Sequence, residues 1–146
     1  MSIRENIAVD IETTLKAPQT SGIQFRVVYR APKNVSELAR TAFPLAVISS
    51  ANEDREDISF SSGVTRMGTI TYWVDIYVYG NEKDAELNKL IELVDDALAV
   101  DPKRAGNAID TQVVSVELLD PDVTNQGWTN CRVTVNVEYC YQRGTS

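Results

Sequence analysis

The chain has 146 residues and a net charge of −7, with an isoelectric point near 4.6. Hydrophobic residues are 43% and charged residues 24%, a balance suited to a globular domain that buries a core without metal or disulfide. Duplex DNA is bound largely through lysine and arginine displacing counterions, so the acidity argues against sequence-specific DNA binding. Histidine is absent, which removes the commonest general base and excludes Ser-His-Asp and Cys-His nucleophile systems.

Residues 2–17 read as a helix. Ile3, Ile7, Ile11 and Leu15 recur every four residues on one stripe, Ser2 and Glu5 have capping-box spacing, and Pro18 stops the run. Residues 23–30 alternate as a strand ended by Pro32, and residues 35–41 suggest a short helix. After Pro44, residues 45–49 read as a short buried strand. Residues 50–68 are polar, charged and glycine-bearing, and predict either a long loop or a protruding hairpin; such segments are often functional. Residues 69–79 are the clearest strand. Ile70, Tyr72, Val74, Ile76 and Val78 face one way; Thr71, Trp73, Asp75 and Tyr77 face the other.

From Lys83 to Val100, Leu87, Leu90, Ile91, Val94, Ala97 and Leu98 trace the apolar face of a second helix, closed by Asp101-Pro102. Residues 112–119 follow as a strand in which Val114, Val116 and Leu118 alternate with Val113, Ser115 and Glu117. Residues 122–127 form a polar loop. The last strand, residues 128–141, alternates cleanly: Cys131, Val133, Val135, Val137, Tyr139 and Tyr141 oppose Arg132, Thr134, Asn136, Glu138 and Cys140. One of its faces is therefore expected to meet water or another subunit. The order predicts a single α+β domain over residues 1–146, two main helices packed on a largely antiparallel or mixed β-sheet.

Cys131 and Cys140 lie in that last strand, about 30 Å apart at its ordinary rise, too far to form a disulfide. Both are expected to be reduced packing residues. No stretch approaches the ~20 apolar residues of a membrane span, and the polar N-terminus does not read as a signal peptide. The cluster Glu53, Asp54, Glu56 and Asp57 lacks calcium-loop spacing and is interrupted by Arg55. No glycine-rich phosphate loop, CxxC or HExxH occurs. The expectation is a non-enzyme with no catalytic residue, no metal and no cofactor.

Taken in order, several pieces carry a resemblance. They are the leading amphipathic helix, Phe43-Pro44-Leu45-Ala46-Val47 entering a strand, the acidic run Asn52 to Asp57, Trp73-Val74-Asp75-Ile76-Tyr77-Val78, the helix from Lys83, and the alternating strand from Val133 to Tyr141. Across residues 3–141 the chain resembles the tail terminator (tail completion) proteins of long-tailed bacteriophages. The resemblance implies a structural virion protein, made in the host cytoplasm and placed at the head-proximal end of the tail. It implies a homohexameric ring that halts polymerisation of the tail tube protein and presents a surface to neck or head-completion proteins, and to sheath protein in a contractile tail. DNA would pass through the ring without sequence-specific binding, and acidic residues lining the channel would repel its phosphates. Asn52, Glu53, Asp54, Arg55, Glu56, Asp57 and Arg66 are the candidate inter-ring or inter-subunit contacts. The alternatives are another neck or head–tail joining protein and, in a different class, a small α+β ligand-binding or regulatory domain, with a pocket bordered by the loop at 121–127.

Overall fold

The computed structural model describes residues 2–17, 24–30, 40–57, 65–79, 83–119 and 128–142. In chain order these form α1 (Ile3–Lys16), β1 (Val27–Tyr29), a 3-10 turn at Arg40–Ala42, β2 (Leu45–Asp57), β3 (Thr65–Tyr79), α2 (Lys83–Val100), β4 (Asp110–Leu119) and β5 (Trp128–Gln142). The fold is α+β. One five-stranded sheet, ordered β1-β2-β3-β5-β4, carries both helices on one face.

Local chemistry sets the helix ends. The Ser2 hydroxyl accepts the Glu5 N–H at 3.1 Å, satisfying one of the donors that the first turn leaves open. The isoleucine stripe predicted for α1 is the buried one: Ile7, Ile11 and Leu15 are fully buried. In α2, Leu87, Leu90, Val94, Ala97 and Leu98 go into the same core, joined by Leu93, while Ile91 lies at its margin. From the sheet come Ile70, Tyr72, Val74, Ile76 and Val78 of β3, and Cys131, Val133, Val135, Val137, Tyr139 and Tyr141 of β5. Fully buried side chains of this size each stabilise by roughly 1.5–3 kcal/mol.

The sheet departs from the expected one in three places. The segment expected as a long loop or protruding hairpin is a hairpin: β2 runs on to Asp57 and β3 starts at Thr65, paired as far as Asp57 with Arg66. Its tip, residues 58–64, lies outside the described residues. Second, β1 is only three residues long and pairs with β2 in parallel, so the sheet is mixed. Alternation there is displaced: Phe25 and Val28 enter the main core, whereas Val27 and Tyr29 join Phe43, Leu45, Val47, Tyr77 and Tyr79 in a smaller cluster. Third, β4 starts at Asp110 and carries a bulge between Val113 and Ser115. The bulge interrupts the simple alternation of Val114, Val116 and Leu118, all of which are exposed. Of the helix expected at 35–41 only its end is described, as the 3-10 turn; the loop at 121–127 lies outside the described residues. Among the described residues, no helix is long and apolar enough to cross a membrane.

The cysteines also divide. Cys131 is in the core and Cys140 is exposed, both free; only Cys131 is the packing residue expected of both, because nine residues along a strand puts them on opposite faces. Burial pushes the Cys131 thiol up to about 12. One thiol per chain should therefore react with Ellman's reagent in the native protein, and two after denaturation; prompt reaction of both in native buffer would contradict this packing.

Gly68 of β3 faces Tyr139 of β5, whose ring covers it. A Cβ at position 68 would stand 2.6 Å from Tyr139 Cε1 and 3.0 Å from its Cζ. Tyr139 has little freedom to yield: it is fully buried, stacked on Tyr141 with centroids 5.4 Å apart and bonded to Glu53 at 3.0 Å. Gly68→Ala should lose about 1–3 kcal/mol of unfolding free energy by urea titration, the usual range for overpacking. An unchanged midpoint would show that the ring swings aside freely.

Candidate assembly surfaces

Three surfaces hold the exposed chemistry of this fold. The first is the outer end of the β2–β3 hairpin. Strand alternation splits the acidic run there between two faces. Glu53 pairs across from Ile70 and Arg55 from Gly68, which places both on the helix side. Asp54 and Glu56 fall on the opposite side, exposed. Glu53 is a hub: it meets Arg4 at 2.7 Å, accepts the Tyr139 hydroxyl at 3.0 Å and is bonded to Arg55. Arg55 also lies 4.9 Å from the Tyr141 ring centroid, and its hydrogen bond to Glu53 raises its affinity for its proton. Burial, followed by the Glu53 bond, pushes the Tyr139 hydroxyl up to about 12.

The candidate contact residues are thus unlike one another. Glu53 and Arg55 tie α1, β2 and β5 together. Asn52, Asp54 and Glu56 are exposed or nearly so and available to a neighbour. Asp57 ends β2, and Arg66 is half-buried across from Tyr141. Among the described residues no three of His, Cys, Asp and Glu gather as a metal site.

The second surface is the sheet face away from the helices. Asp54, Glu56, Asp110, Glu117 and Glu138 share it by register. Among the described strand residues its one arginine is Arg132, held by Asp75 at 2.9 and 3.3 Å and stacked 3.8 Å from the Trp73 ring centroid. The hydrogen bond to Asp75 raises the Arg132 pKa. Sequence reading placed Trp73 and Asp75 on this face but missed the arginine between them, because the cross-strand pairing Asp75–Arg132 is set by register over 57 residues of sequence. The centre of the face is polar and uncharged, with Thr71 bonded to Asn136 at 3.0 Å.

The third surface is the β4 edge. Val114, Val116 and Leu118 are 48%, 44% and 60% exposed, and Ile109 just before them is 46% exposed. Beside them a shallow cleft of about 240 Å³ between α2 and β4 is lined by Asp95, Leu98, Ala99, Thr111, Gln112 and Val113. It does not gather the convergent polar groups of a small-molecule site.

Among solved structures, the chain is similar over nearly its whole length to a virion component. The chain shares the fold of a chain from the virion of a native gene transfer agent particle. The TM-score is 0.51 at 9% identity, covering 95% of this chain and 98% of that one. No family model matches the sequence, and no curated protein does.

At the same end of the sheet as the hairpin tip but on its β4 side, the turn after α2 is built around a buried arginine. Arg104 is fully buried and meets Asp10 of α1 at 3.0 Å. Its guanidinium donates to the Leu98 carbonyl at 2.6 Å and to that of Asp101, satisfying carbonyls that the end of α2 leaves open. Asp101 accepts the Ala105 N–H at 2.8 Å and the Lys103 N–H at 3.2 Å. These bonds, the one to Ala105 foremost, lower its pKa. A carboxyl depressed by folding contributes stability that is present above its unfolded value, roughly 3.9, and is lost as pH falls through the folded value. Asp101→Asn should therefore lower stability at pH 7 and flatten its decline in the acid range, read from urea midpoints between roughly pH 5 and pH 2. Parallel pH curves for variant and wild type would remove Asp101 from that role.

Proposed function

We propose that this chain is a structural protein of a phage-like virion and, within that class, a tail terminator. In this reading it forms a homohexameric ring at the head-proximal end of a tail, ends tail tube polymerisation, and offers a surface to neck or head-completion proteins. A contractile tail would add sheath protein to its partners. The observation that carries the reading is a coincidence of two lengths. The terminator-like order of motifs spans residues 3–141, and the fold is shared over 95% of the chain with a component of a virion. The chain then acts mechanically, without catalysis or cofactor, and its working parts are faces and edges.

Native mass spectrometry of the purified chain, alone and mixed with its tail tube protein, tests this directly. A hexamer is expected, either free or on the tube, with tubes of fixed length capped at one end in electron micrographs. A chain that binds the portal-side neck ring and ignores the tube would transfer the reading to a head–tail joining protein. Replacing residues 58–64 by a two-residue Asn-Gly turn should abolish capping and leave the melting temperature within a few degrees.

The acidic sheet face suits a wall past which DNA slides, since like charge prevents sticking. The expected consequence is electrostatic. Reversing Glu138 to lysine should leave capped tails intact by microscopy but slow DNA release from assembled particles, most at low salt, where screening is weakest. Salt-independent release at the wild-type rate would place this face away from the channel.

A further inference from the structure

We propose that consecutive copies of this chain join edge to edge, the β4 edge of one copy lying antiparallel against the β1 edge of the next. This deepens the ring reading above by naming the two surfaces that a ring would use. A ring needs two different, complementary patches on each subunit, and β1 and β4 are the two outermost strands of the sheet.

Among the described residues, the β4 edge has no guard besides its bulge. Natural sheet edges are usually guarded by lysine, proline or inward charge. Residues 110–119 contain no lysine, arginine or proline, and Val114, Val116 and Leu118 stand exposed there while the apolar residues of the adjoining β5 are at 0–5%. On the other side, the Arg26 N–H bonds inward to the Pro44 carbonyl at 2.8 Å. Backbone alternation then turns the Val27 N–H outward.

Strand polarity permits the union. β2, β3, β5 and β4 alternate in direction and β1 runs parallel to β2. Hence β1 and β4 run in opposite senses. Copies related by rotation about an axis along the strands keep their directions, so the β4 of one meets the β1 of the next antiparallel. A symmetric β4-to-β4 dimer would also be antiparallel, and charge decides between the two. The β4 side carries Asp110, Glu117 and, across the cleft, Asp95, so two such edges would repel. β1 is flanked by the exposed cations Arg26 and Arg30, the latter shared with Glu5 at 2.8 Å. Unlike edges therefore attract and like edges do not.

The test pairs two blocked variants. Val116→Asp with Leu118→Asp blocks β4 at exposed positions, and Val27→Pro removes the outward N–H of β1. Each is checked for wild-type circular dichroism and examined by native mass spectrometry. Wild type should give the ring-sized oligomer. Each variant alone should be monomeric, and their equimolar mixture should stop at a dimer, since one intact β4 edge meets one intact β1 edge. A blocked variant that keeps the wild-type oligomer would overturn the edge assignment while leaving the ring reading in place. A mixture that stays monomeric, or a Val27→Pro dimer through β4 alone, would also overturn it. Wild type that assembles neither alone nor on tube would remove both readings. Hydrogen exchange on wild type needs no variant: amides slowed on assembly should fall in β4 and residues 26–29, and slowing confined to other elements would refute the pairing.

Discussion

The pairing of β3 with β5 along fifteen residues each constrains everything else in this molecule. Two strands of that length, locked in one register without a bulge, fix two faces at once, because a slip of one residue would exchange them. On one face lie Ile70, Tyr72, Val74 and Ile76 against Val137, Val135, Val133 and Cys131, and both helices must cover it. On the other, Trp73, Asp75, Arg132 and Thr134 are committed to a polar environment by the same register. Neither helix chooses its place; each goes where the apolar ladder is. Gly68 belongs to this constraint as well, since the ladder admits Tyr139 opposite position 68 only if no side chain is there.

Besides the apolar core, charge fixes the helices at two points. At the hairpin end Glu53 gathers Arg4 of α1, Arg55 of β2 and Tyr139 of β5. On the β4 side of the same end Arg104 gathers Asp10 of α1 and the last carbonyls of α2. A buried guanidinium is costly unless its donors are met, and desolvation does lower the Arg104 pKa against the pull of Asp10. Such groups fix relative placement better than they add net stability.

Much of this was legible in the sequence, and the exceptions share a cause. The isoleucine stripe of α1, the apolar face of α2 and the two faces of β3 and β5 follow from local periodicity, which one sequence displays. What periodicity cannot display is which strand lies beside which. Asn52 to Asp57 look like a solvated loop because they are charged; they form a strand because β3 offers twelve residues of pairing from Thr71 back to Arg66 and onward to Tyr77. Arg132 looks like an outward cation until Asp75 is placed opposite it. Val114, Val116 and Leu118 look like half of an ordinary alternation; the bulge and the edge position leave them exposed, and neither can be read from their own order.

The distribution of exposed groups separates the jobs of the surfaces. If the hairpin end, the acidic face and the β4 edge were one continuous patch, a single partner would account for them. They point in different directions: the hairpin end along the strands, the acidic groups off the face away from the helices, and Val116 and Leu118 off the helix side of the outermost described strand, opposite Val133 and Cys131. In the proposed ring, one would contact the next layer of an assembly, one would face its interior, and one would reach the neighbouring copy. The exposed valines and leucine of β4 and the acid of the open face thus sit on opposite sides of one sheet, because the registers of β4 and β5 place Val116 and Leu118 with Val133 and Cys131, and Asp110 and Glu117 with Glu138 and Arg132.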